Sequence, residues 1–299
     1  MILWSSRHVR LLSVLMLAAL QAILGGPLPA AAAPGNVIAD VTTPEGAALW
    51  PLGIAKAIAM DGRYLYYAEY SGSVIHRIDI PPTGASNAAG HIDIPIVGAP
   101  GGIMTIAYDG PRDMFWAVSG DGTAIYLVTK SGMAYRQFTV DTVNGLPGNC
   151  KNSCQNEVKI AYDRSDDTIW YSPDTTSRVY HFRTYGDMLG KAIPVPGTPW
   201  VDVDVAPNTM APECPASYVS GIATGGTSLF FEISNCNYYF EYSKTGTKVG
   251  ATPRSFTTSG GLACDNVSYT VSVIWMRAGW DPHMYAIEQP RASACVYGG

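Results

Sequence analysis

Past its first two dozen residues this 299-residue chain carries no helical period, and with it go the folds built on packed helices. No block of Lys and Arg occurs, which excludes nucleic acid as a partner, since phosphate binding needs clustered cations. The one long apolar run, Leu11 to Leu24, has 14 residues and is too short for a comfortable membrane span. Catalytic signatures are missing too: no Gly-x-Ser-x-Gly elbow, no His-Glu-x-x-His, no phosphate-cradling Gly-x-x-x-x-Gly-Lys and no Gly-x-Gly-x-x-Gly opening a helix. Cysteine is absent before position 150.

What is present starts with a leader. Arg7, His8 and Arg10 precede the apolar run, and Ala30 to Ala33 supply an Ala-x-Ala cleavage signal, so residues 1–33 read as a cleaved secretory signal peptide. Its removal takes two arginines and no acid, leaving 17 basic and 24 acidic residues and a net charge of −7. The expected location is secreted or periplasmic, with residues 34–299 as a single domain and no membrane span after cleavage. Behind a leader, the cysteines at 150, 154, 214, 236, 264 and 295 imply disulfides, although their connectivity stays open. Sequence neighbours are the expected pairs: Cys150–Cys154, Cys214–Cys236 and Cys264–Cys295.

The chain repeats. An aromatic is followed ten residues later by a second ring in Tyr66/His76, Trp116/Tyr126, Trp170/Tyr180, Phe230/Phe240 and Trp275/Tyr285. Turn-rich segments such as Glu69-Tyr70-Ser71-Gly72 and Ser119-Gly120-Asp121-Gly122 lie between the rings, so each copy reads as two strands and a hairpin. The first rings stand 50, 54, 60 and 45 residues apart, and an all-strand unit of that period predicts a β-propeller of four-stranded antiparallel blades. Five blades are expected, or six if the termini and the strand Trp200 to Val205 build one more. The lone strand Asn36 to Thr42 closes the ring against the last blade, with mates among Val273 to Arg277, His283 to Glu288 and Ala292 to Val296. The outer strand of the first blade is His91 to Ile96. The paired rings are read as inter-blade packing, which makes His76 and His181 blade residues rather than ligands.

Pro51-Leu52-Gly53-Ile54-Ala55, then Asp61-Gly62, Tyr66-Tyr67-Ala68-Glu69 and Ile75-His76-Arg77-Ile78-Asp79, resemble one blade of the NHL, YVTN and streptogramin-lyase-like propellers. The resemblance implies a propeller whose ligands bind on one face, at the loops within each hairpin and those leading into each inner strand. Lyases of that group use a histidine and metal-holding acids on later blades. Here the later turns hold Pro173-Asp174-Thr175, Ser234-Asn235-Cys236 and Trp280-Asp281-Pro282-His283 without a repeated Glu-x-His, so no lyase site is carried over. On the implied face stand Glu69, Tyr70, Asp121, Asp174, Trp200, Trp280, Asp281 and His283. A ring of those carboxylates would hold a hard cation such as calcium or run acid–base chemistry, whereas each acid alone caps its own turn. Two functions follow: an exported binding or scaffold module for a protein or glycan, or a lyase or hydrolase with an acid-lined, metal-holding channel.

Overall fold

A computed structural model of the chain describes residues 33–45, 55–70, 72–140, 158–173, 176–214, 219–233, 235–257, 260–277, 282–292 and 294–298. The leader and the Cys150–Cys154 pair lie outside them. Among the described residues there is no helix, and so none long and apolar enough to cross a membrane.

Strand β1 (Val37–Thr42) comes first and belongs to the last blade. Blade 1 is β2 (Ala55–Met60), β3 (Tyr64–Glu69), β4 (Val74–Asp79) and β5 (Ile92–Pro95). Blade 2 is β6 (Ile103–Asp109), β7 (Met114–Ser119), β8 (Ala124–Thr129) and β9 (Ala134–Thr139). Blade 3 is β10 (Lys159–Asp163), β11 (Thr168–Ser172), β12 (Arg178–Gly186) and β13 (Ala192–Pro194), with β14 (Trp200–Asp202) added beside β12. Blade 4 is β15 (Gly221–Gly225), β16 (Ser228–Glu232), β17 (Tyr238–Ser243) and β18 (Lys248–Pro253). Blade 5 is β19 (Leu262–Asp265), β20 (Val273–Arg277) and β21 (His283–Glu288), completed by β1. The protein is a five-bladed β-propeller.

The ten-residue spacing is a hairpin register. In every blade the residue after the first ring pairs with the second ring: Tyr67 with His76, Ala117 with Tyr126, Tyr171 with Tyr180, Phe231 with Phe240 and Met276 with Tyr285. The second strands are buried on both faces, which is why they read as continuous apolar runs such as Thr168–Ser172 and Val273–Arg277 rather than alternating ones. Five buried clusters fill the five interfaces between consecutive blades, including the one between blade 5 and blade 1. Tyr66, Trp116, Trp170, Phe230 and Trp275 each point into a different one, so the inter-blade packing expected of the first rings holds.

Two expectations at the ring closure need correction. The described residues of segment 292–296 form no strand; the missing mate is β19, a short inner strand whose Ala-Cys-Asp content carries little β signal. Trp200 to Val205 builds no sixth blade, because β14 pairs with β12 through Tyr180 and Trp200 and widens blade 3 instead. The rest of the closure is as expected, β1 running antiparallel to β21 from Val37 opposite Ile287 to Thr42 opposite His283.

A polar device recurs beneath the aromatic one. The aspartate at or just past the end of an inner strand accepts a hydrogen bond from the ring on the second strand: Asp61 from Tyr66 Oη at 2.9 Å, Asp109 from Trp116 Nε1 at 2.9 Å, Asp163 from Trp170 Nε1 at 3.3 Å and Asp265 from Trp275 Nε1 at 3.1 Å. Cations from the adjacent blade or the same turn reach three sites of this set: Lys130 to Asp61 at 2.6 Å, Arg112 to Asp109 and to Asp167 at 2.7 Å each, and Lys244 to Asp163 at 2.6 Å. Burial raises the Asp163 carboxyl, but Lys244 and Ser165 outweigh it and hold the group below the ordinary carboxylate range. In blade 4 the equivalent pair is Gly225 and Phe230. The glycine is required there, since a Cβ on Gly225 would lie 2.5 Å from the backbone of Val296.

That contact belongs to the carboxyl-terminal tail, which packs against one end of the inner strands and reaches the central channel at Gly298. Gln289 clamps it, donating to the carbonyls of Val273 and Cys295 at 2.8 and 2.9 Å and accepting from Cys295 N–H at 3.0 Å. Tyr297 N–H donates to Asn266, and Gly298 lines the channel beside Tyr108. The Cys264–Cys295 disulfide ties the tail to inner strand β19, and Cys214–Cys236 ties the proline-rich insertion of blade 4 to its hairpin, both pairs as expected. Each loop restricts the unfolded chain by about 3 kcal/mol. The described wall of the channel mixes small and aliphatic residues, including Ile58, Ala107, Ile160, Ala223 and Leu262, with Tyr108, Tyr162 and Thr224, and no acid is among them.

Glu232, at the end of β16, is wholly buried against Arg254 at 2.9 Å and the Gly260 N–H at 2.8 Å. Burial nonetheless pushes its carboxyl up to about 7, against the pull of Arg254 and Lys159.

Two outcomes follow. Asp163→Asn, which strips the charge from a buried site shared by Trp170, Ser165 and Lys244, should cost about 3 kcal/mol in urea unfolding at pH 7; a loss below about 0.5 kcal/mol would show that the clasp is ornamental. For Glu232 the folded state holds the proton more tightly, so its contribution is present below the ordinary carboxylate range and lost as pH rises through about 7. Unfolding titrations of Glu232→Gln against the parent should therefore differ by about 3 kcal/mol more at pH 4 than at pH 8, to the variant's disadvantage at pH 4. A pH-independent difference would refute the assignment.

Candidate metal centre

The outer strand of blade 1 places a compact cluster at the seam between that blade and β1. Pairing of β4 with β5 sets His76 opposite Asp93, and the alternation of the strand puts His91 on the same side as Asp93. Glu45 arrives from elsewhere in the fold, three residues past the end of β1. The turn before it is held by Thr43 N–H donating to the Pro282 carbonyl at 2.8 Å and Thr42 N–H to the Ser86 carbonyl at 3.1 Å.

One donor atom from each residue converges. His76 Nδ1 lies 2.8 Å from Asp93 Oδ1 and 3.3 Å from Glu45 Oε1, while His91 Nε2 lies 2.9 Å from Glu45 Oε1, 3.1 Å from Asp93 Oδ1 and 3.5 Å from His76 Nδ1. All four atoms fall within 4.8 Å of one another. Bonds of about 2.0–2.1 Å to a tetrahedral ion put neighbouring donors roughly 3.3–3.4 Å apart; two of these five edges sit at that spacing and three are shorter, so small outward shifts would admit a zinc-sized ion. Two imidazoles among four donors suit zinc, copper or nickel rather than calcium, which takes oxygen alone.

The surroundings orient the donors. Tyr67, fully buried, donates its hydroxyl to Glu45 at 2.8 and 3.0 Å from the two carboxylate oxygens, and its ring stacks on His76 with centroids 4.9 Å apart. Burial, with the Glu45 carboxylate next, pushes the phenol far above its ordinary value and keeps it a donor. The second nitrogen of His76, Nε2, is buried without a hydrogen bond and faces Glu69 Oε1 at 3.6 Å. At that distance Glu69 adds negative charge behind the imidazole without a hydrogen bond to it. His76 and Glu45 are sunk in the seam, their side chains 8 % and 15 % exposed, whereas Asp93 is 58 % exposed and forms the solvent side.

Five of the eight residues expected on the ligand face lie among the described residues, each with its own surroundings. Glu69 stands behind His76. Tyr70 is half-buried and packs on the cluster between blades 2 and 3. Asp121 is engaged with its own turn, accepting from Ser119 Oγ and from Thr123 N–H and Oγ1. Trp200 is exposed on β14 under the Arg178 guanidinium, 5.1 Å from its centroid, and His283 Nδ1 meets Asp40 at 2.6 Å. Asp174, Trp280 and Asp281 lie outside the described residues. His181 is the blade residue expected, stacked on Trp170 at 3.9 Å, but His76 is a blade residue and a cluster member at once. The signal for three of the four donors was local: a His-x-Asp alternation on an edge strand opposite a histidine. Glu45 carried none, because only ring closure brings it there.

No protein-family profile and no curated protein matches the chain. Among solved structures it is similar to the glutaminyl cyclase of Myxococcus xanthus, with a TM-score of 0.52 and 11 % identity over 85 % of this chain and 95 % of that one. It is also similar to a luciferin-regenerating enzyme, TM-score 0.46 at 10 % identity over 82 % and 97 %, and to virginiamycin B lyase of Staphylococcus aureus, 0.44 at 14 % over 80 % and 82 %. At such identities the likeness is one of fold. The five antiparallel blades and the likeness to the glutaminyl cyclase agree on one point, that the fold is a β-propeller.

Proposed function

We propose that this protein is an exported, disulfide-stapled propeller that binds a divalent transition metal, zinc by preference, through Glu45, His76, His91 and Asp93, and acts as a binding module. The observation that carries the metal reading is the convergence of two imidazole nitrogens and two carboxylate oxygens at ligand spacing. Four protein donors fill a tetrahedral ion, the arrangement of a structural site; catalytic sites keep one position open. A described channel wall without an acid likewise favours a binding or scaffold role over the lyase or hydrolase with an acid-lined channel. A protein or glycan partner is assigned to the loop-rich face, opposite the end where the tail packs. Export rests on the leader at residues 1–33, the two disulfides and the lack of a membrane-crossing helix among the described residues.

Metal analysis of the purified mature chain, followed by calorimetric titration with zinc after chelation, tests this. About one zinc per chain is expected at pH 7.5, with affinity falling at least tenfold in His91→Ala and binding abolished in His91→Ala/Asp93→Asn, both at exposed positions that the fold tolerates. Zinc uptake equal in the parent and the double variant, or none in the parent, would sink the proposal.

A further inference from the structure

The four donors come from two sides of a seam. His76 and Asp93 stand on the third and fourth strands of blade 1 and His91 immediately before the fourth, whereas Glu45 is tethered to β1, the outer strand of blade 5. Among the described strands, β1 alone is supplied from the opposite end of the chain to the rest of its blade, and its ladder with β21 is what closes the circle. Glu45 reaches His76 and His91 only while that strand is docked, because the same Tyr67 that receives Glu45 is packed in the blade 5/blade 1 core with Ala39 and Val41 of β1.

We infer that the metal acts as a clasp on ring closure, pinning the end of β1 to blade 1 so that the strand cannot peel from β21 without giving up a ligand. The inference rests on the metal reading above and adds a specific location to its effect. A ligand that binds the closed form and not the open one disfavours opening in proportion to its occupancy, so zinc at about ten times its Kd slows exchange through peeling by about tenfold. The effect must be local. Amides of β1 and their partners in β21 gain protection, while those of β11 in blade 3, across the ring, keep theirs.

Hydrogen exchange of the full mature chain, read by mass spectrometry with zinc and after chelation, decides the matter in the parent, in Glu45→Gln and in Asp93→Asn. In the parent, zinc slows exchange over 37–42 by about tenfold and leaves 168–172 unchanged. Glu45→Gln still takes up zinc on the three blade 1 donors, and its side-chain amide oxygen still accepts from Tyr67, but the zinc-dependent protection of β1 is lost. Asp93→Asn binds more weakly, yet at saturating zinc it protects β1 as the parent does. Stoichiometric zinc with no change over 37–42, protection spread evenly over all blades, or protection of β1 undiminished in Glu45→Gln each overturns the clasp and leaves the metal site standing. Absence of zinc binding in the parent overturns the metal reading itself.

Discussion

The architecture depends on how each blade fastens its two innermost strands. In four of the five blades a buried or half-buried aspartate at the end of the inner strand receives the indole or phenol of the second strand, and in three of those a cation bridges to it from an adjacent blade or from the same turn. A carboxylate withdrawn from water is tolerable only when its oxygens are used, and here they are used by groups that packing delivers to the same point. The aromatic ring therefore performs two tasks. Its body fills the interface with the next blade, and its polar edge locks the strand to its own blade. Blade 4 keeps the packing without the lock, because its glycine makes room for the tail.

Closure imposes a second constraint. Five interfaces of similar apolar content hold the blades, but the circle itself is completed by one ladder between strands from opposite ends of the chain. Around that ladder are concentrated Tyr67, the His76–His91 stack, the Glu45 and Asp93 carboxylates and the Arg277 guanidinium over Tyr67. No other described seam joins His and carboxylate groups in this number. A metal held at this point would reinforce the place where a propeller has the least covalent help.

The fold was legible because its signals are local and repeated. Hairpin register shows up as a fixed distance between rings, and inter-blade burial shows up as apolar second strands, so five copies of a weak pattern become a strong one. β19 was missed since Ala263 and Cys264 have no strong strand preference and its partner register depends on β20 and the tail. The site was only partly legible. His91, Asp93 and His76 could be aligned from the strand pairing of one blade, but the aromatic repeat offered a sufficient structural reason for His76, and that reason masked its second role. Glu45 belongs to the seam through topology, and no local pattern marks a residue whose neighbours are set by the closing of a ring.

The tail has a consequence for how this molecule meets its surroundings. A propeller with both mouths clear is a pore that treats its two faces alike. Here Gly298 stands beside Tyr108 in the channel wall, held there by the Gln289 clamp and the Cys264–Cys295 bridge, so the chain's own tail contributes to one end of the axis. The two faces are therefore unlike: a base stiffened by the tail, its clamp and its disulfide, and an opposite rim where loops are free to vary in sequence without threatening the ring.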